Sequence, residues 1–77
     1  MASTLKHLFA VHLRKLRESH GLTQEELAAR AGLHATHISL LEHAKRSARI
    51  ETLERLAKAL NIQPRDLIPR LKRYSSK

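Results

Sequence analysis

The chain has 77 residues, with 15 Lys or Arg against 7 Asp or Glu, a formal charge of +8 with histidine neutral. That length suits one domain with a small core and excludes a separate ligand-sensing or catalytic module, so regulation is expected through concentration, self-association or a partner protein. The positive excess attracts polyanions and makes nucleic acid the expected partner. Apolar runs fall far short of the roughly 20 residues a spanning helix needs, and the absence of cysteine excludes disulfides and thiolate metal sites.

Leu5, Leu8, Phe9, Leu13 and Leu16 recur at steps of three and four, with Lys6, Arg14 and Glu18 on the other side, which predicts a first helix from Leu5 to Ser19. Ser3 or Thr4 can cap its start, and His20-Gly21 ends it, with Leu22 following as an apolar plug. Neither a compact apolar signal region nor a membrane segment is present, and a cytoplasmic protein is expected. The basic, amphipathic N-terminal stretch leaves a transit peptide as the weaker reading.

Thr23-Gln24-Glu25-Glu26 has the spacing of a capping box and opens a second helix that runs to about Ala31, with Leu27 and Ala28 facing inward. Gly32 permits a left-handed turn, Leu33 seals it, and a third helix follows from about Ala35 to His43 with Ile38 and Leu41 as its buried stripe. Advancing by about 100° per residue, the opposite face carries Thr36, Ser39, Leu40 and His43, flanked by Ala35 and His37. Two short helices crossing at a tight turn, the second with a free polar face, suggest DNA reading.

Ala44 to Arg49 is a basic connection. Ile50, Leu53, Leu56, Ala57 and Leu60 mark a fourth helix, Asn61 is a left-handed stop, and Pro64 suits the first position of a fifth helix with Leu67, Ile68 and Leu71 on its apolar side. These three residues are the expected dimer surface, unless they merely close the monomer core. The domain is taken as residues 1–70, with 71–77 a basic, frayed tail.

Residues 13 to 62, containing GLTQEELA, HISLLE and ETLERLAKAL in order, resemble the lambda-repressor and Cro type of helix-turn-helix domain. Within it the chain is most similar to short stand-alone regulators such as the controller proteins of restriction–modification systems. The resemblance implies an all-α, five-helix DNA-binding domain whose second and third helices form the helix-turn-helix, acting as a homodimer on an inverted-repeat operator in double-stranded DNA.

By the same resemblance, Ala35, Thr36, Ser39 and Leu40, with His37 beside them, are expected at base edges in the major groove. Thr23, Gln24, His43, Lys45, Arg46 and Arg49 are expected on phosphates. Arg17 and Glu42 are expected as a partly buried ion pair joining the first helix to the third. No long bidentate reader lies on the third helix, so selectivity is expected to draw on DNA shape, on water or on Arg46 and Arg49.

Relatives commonly carry glycine at the place of Ala44, proline at that of Ala48 and serine at that of Arg49. The missing glycine predicts either a strained left-handed alanine or a shifted helix end, and the missing serine a poorly capped fourth helix.

Six histidines raise a metal site at His34 with His37 or His7 with His12, but neither pair has a supporting Asp, Glu or Cys and zinc wants three or four ligands. No metal, cofactor or small-molecule ligand is expected, and no nucleophile–base arrangement points to an enzyme. The rival reading is a protein-interaction module of the same fold, antitoxin or coactivator-like. Nonspecific coating of nucleic acid is a third.

Overall fold

Local signals set most of the helix boundaries. In the computed structural model, which describes residues 4–69, Thr4 is extended and its hydroxyl accepts from the His7 N–H at 3.2 Å, opening α1 (Leu5–Ser19). After His20 and Gly21 the Leu22 N–H donates to the Arg17 carbonyl at 3.2 Å, and the Leu22 side chain turns into the core. The reciprocal box then forms: the Thr23 hydroxyl accepts from the Glu26 N–H at 3.0 Å, and the Glu26 carboxylate accepts from the Thr23 N–H at 2.8 Å. These two bonds satisfy donors that the first turn of α2 (Gln24–Ala31) would otherwise leave open.

Gly32 stands at φ 70°, ψ 33°, where an L side chain is strained, and the Leu33 N–H closes onto the Ala28 carbonyl at 2.9 Å. α3 (Ala35–Glu42) follows, with His43 just beyond its last helical residue. Ala44 takes up the left-handed conformation itself, at φ 57°, and the Lys45 N–H returns to the Leu40 carbonyl at 2.9 Å. The chain therefore keeps the closure that glycine would serve and accepts a strain of order 1–2 kcal/mol. α4 (Ile50–Leu60) starts at Arg49 without a side-chain cap and stops at Asn61, also left-handed at φ 57°.

The expected fifth helix is corrected to a 3-10 turn, Pro64–Leu67, so the described residues contain four α-helices. Pro64 does sit at its start, but Pro69 disfavours helical backbone at Ile68, which is extended at φ −92°, ψ 118°. Leu67 is correspondingly corrected from dimer surface to core. It is fully buried against α1 and α4 in one cluster with Phe9, Leu13, Leu56 and Leu60. Ile68 remains 43% exposed, and Leu71 and the tail lie outside the described residues.

The core is continuous. α2 packs on α3 and α4, α1 packs on α3, and Leu27, Ile38 and Leu41 are fully buried between them. Each such leucine or isoleucine contributes about 1.5–3 kcal/mol by leaving water. Non-local polar ties add to it: the His12 Nε2–H donates to the Asp66 carbonyl at 2.6 Å, and Arg55 Nη1 donates to the Gly32 carbonyl at 3.1 Å. The second ties α4 to the turn between α2 and α3.

Candidate nucleic-acid interface

α3 is held from behind by its own apolar stripe and from its C-terminal end by Glu42. The Glu42 carboxylate accepts from Arg17 Nε at 2.6 Å and Arg17 Nη2 at 3.0 Å, while Arg17 Nη1 donates to the Leu22 carbonyl at 2.8 Å. The Glu42 side chain is 1% exposed and that of Arg17 11%. Hydrogen bonding to Glu42 outweighs desolvation and holds the Arg17 guanidinium above its ordinary range, so it stays charged. Gln24 completes the network by donating to Glu42 at 3.1 Å. One residue at the end of α3 thereby fixes its position relative to both α1 and α2.

The outward face of α3 presents Thr36 exposed and Ser39 and Leu40 half-buried, while Ala35 is half-buried against the core. His43 is exposed, and its Nδ1–H donates to the Ser39 carbonyl at 2.8 Å, since a carbonyl can only accept. In the neutral ring Nε2 is therefore an acceptor, so donation to a phosphate from that nitrogen requires the imidazolium form. His37 lies apart from these residues. It lines a pocket of about 170 Å³ with Arg46, Ser47, Arg49 and Thr52. Burial first, then Arg46, Arg49 and His34, hold its pKa below the ordinary histidine value.

At the other edge, Thr23 is exposed and its hydroxyl proton remains available, because the capping bond uses the oxygen as acceptor. Gln24 is half-buried and has a second amide hydrogen beyond the one given to Glu42. Lys45, Arg46 and Arg49 are exposed, and none has a carboxylate within ion-pair distance among the described residues. Sequence reasoning missed Gln24's inward partnership, and it missed Ser47 and Thr52 beside His37. A buried threonine in the first turn of α4 carries no distinguishing local signal, and only the folded chain places it beside His37.

Among the described residues no helix is long and apolar enough to cross a membrane, and no group of three His, Cys, Asp or Glu could hold a metal ion.

Comparison with known proteins agrees with this architecture. The helix-turn-helix family model matches residues 13–67. Control protein C.BamHI of Bacillus amyloliquefaciens is 36% identical over 69 residues, covering 88% of this chain and 85% of that protein. Control protein C.SmaI of Serratia marcescens is 39% identical over 66 residues, covering 86% and 79%. Among solved structures, the restriction–modification controller protein C.AhdI from Aeromonas hydrophila superposes with a TM-score of 0.80 at 36% identity, covering 82% of this chain and 96% of that one.

Proposed function

The chain belongs to the helix-turn-helix family, and on that premise we propose that it is a sequence-specific DNA-binding transcriptional regulator, not an enzyme, that acts as a homodimer on an inverted-repeat operator. The observation that carries the reading is the coincidence of a rigidly held α3, with a small polar outward face, and three neighbouring cations that no carboxylate neutralises among the described residues. Eight helical residues make a rod of about 12 Å, which suits the B-DNA major groove. The similarity to control proteins supports a short stand-alone regulator of that kind.

In this reading Thr36 and Ser39 donate to or accept from base edges, and Leu40, Ala35 and the Thr36 methyl meet thymine methyl groups. Thr23, Gln24, Lys45, Arg46 and Arg49 grip phosphates, joined by His43 when it is protonated. Two such units about 34 Å apart read half-sites one helical turn apart. Ile68 at 43% exposure and the apolar groove of about 290 Å³ beside it, lined by Leu5, Phe9, Leu53 and Pro69, support self-association on this side of the molecule. A net charge of +8 favours a nucleic acid over a protein partner for α3.

Selection of bound sequences from random duplexes tests the proposal. A palindromic consensus is expected, Thr36→Ala should change the preferred bases, and Arg46→Ala should weaken all sites and lower the salt slope by about one. Recovery of unselected sequence would overturn it.

A further inference from the structure

The pocket beside α3 has the chemistry of an anion seat. Its lining is His37, Arg46, Ser47, Arg49 and Thr52, with no carboxylate among them. Arg46 and Arg49 come from the loop after α3, and the other charged or titratable group acting on His37 is His34, from the turn before α3. Ser47 and the α4 residue Thr52 carry no charge. The pocket also borders the first turn of α4, whose N–H groups no side chain caps, so the positive end of that helix adds to the same field.

Thr52 is a second, independent pointer. It is only 7% exposed, and its hydroxyl makes no hydrogen bond among the described residues. Yet no described buried side-chain oxygen or nitrogen is sealed off without a partner. Thr52 lines this pocket, so a ligand oxygen seated there is in reach of its hydroxyl and could accept from it. At about 170 Å³ the pocket exceeds many-fold the roughly 10–15 Å³ that one water needs on the same measure, room for a phosphate group with part of its hydration.

We propose that this pocket seats one backbone phosphate of the duplex, gripped by Arg46, Arg49 and the Thr52 hydroxyl, and that His37 takes up a proton from the solvent as the phosphate enters. The inference rests on the DNA-binding reading and changes His37 from a base reader to a phosphate contact. Without the anion, partial burial first, and then two guanidinium groups, disfavour a further positive charge on His37. A phosphate between them reverses the sign of the local field, and the imidazolium then donates to a phosphate oxygen in a charge-assisted bond. Binding of DNA and of one proton per protomer are thus coupled, each tightening the other.

The test follows the ring resonances of His37 in the full chain against pH, first free and then saturated with a random-sequence duplex of about two helical turns. The His37 midpoint is expected to rise by about one pH unit or more in the complex, equivalent to about tenfold tighter binding by the protonated form. A midpoint that stays or falls while the α3 amides shift overturns the phosphate seat and leaves DNA binding standing. If the duplex moves no resonance at all, the DNA-binding reading fails and the seat fails with it. In the same duplex assay the gain in affinity on acidification should be about tenfold smaller in His37→Asn than in wild type, because that variant lacks the ring that takes up the proton. An unchanged gain in that variant assigns the pH dependence to another histidine and also overturns the proposal.

Discussion

Replacing Glu42 by alanine removes the acceptor shared by Arg17 Nε, Arg17 Nη2 and Gln24 Nε2. With the Glu42 side chain 1% exposed and Arg17 11%, water cannot fully take over those bonds, and the guanidinium keeps the Leu22 carbonyl and a long 4.0 Å ion pair to the exposed Glu18. Removing one partner of a buried pair costs about 3–5 kcal/mol, a large part of the about 5–15 kcal/mol that holds a domain together. At about 4–8 °C per kcal/mol for a chain of this size, Tm should fall by about 12–40 °C. Thermal and urea unfolding followed by circular dichroism would measure it, at low and high salt, and the loss should be nearly independent of salt because the pair is little screened. The double variant Arg17→Met with Glu42→Leu should recover most of the loss, since two apolar groups leave no stranded charge. A Glu42→Ala variant within about 1 kcal/mol of wild type would refute the reasoning, for that is the size of a surface pair.

Ala44→Gly should stabilise the protein by about 0.5–1 kcal/mol, because relief of the left-handed strain exceeds the entropy glycine adds to the unfolded chain; an unchanged or lower urea midpoint would contradict the closure described after α3. Leu67→Ala should cost about 2–5 kcal/mol in the same measurement, and a cost near zero would return Leu67 to the surface. His37 titrates below its ordinary value of about 6.5 in the folded chain, which then binds fewer protons than the unfolded chain. Its share of stability is therefore complete above about pH 6.5 and is lost as pH falls through that value towards the folded pKa. Unfolding of His37→Asn should be less acid-sensitive than wild type between about pH 7 and 5, and parallel profiles would show that His37 is not held deprotonated.

Legibility in the sequence followed the range of the forces involved. Thr4, the Thr23–Glu26 box, Gly32 and Asn61 act within a few residues, so the bounds of α1, α2 and α4 could be read from them directly. The buried stripe of α3, Ile38 and Leu41, was equally visible because helical periodicity is local. At the fifth element two local signals oppose each other: Pro64 favours a helix start, while Pro69 restricts Ile68 to extended backbone and limits the element to a 3-10 turn. Leu67 was ambiguous for a different reason: an apolar residue on a short element serves a core or an interface equally well until its neighbours are known. Gln24's bond to Glu42 and the gathering of His37, Arg46, Arg49 and Thr52 join residues far apart in the chain, and the pattern of the sequence does not carry such meetings.

The decisive measurement is the backbone amide spectrum of the protein titrated with duplex DNA. If α3 enters the groove, the largest shifts fall on Ala35 to His43, with a second group at Lys45 to Arg49 and at Thr23 and Gln24. Shifts confined to the loop, with the amides of Ala35 to His43 unmoved, would contradict groove reading by α3.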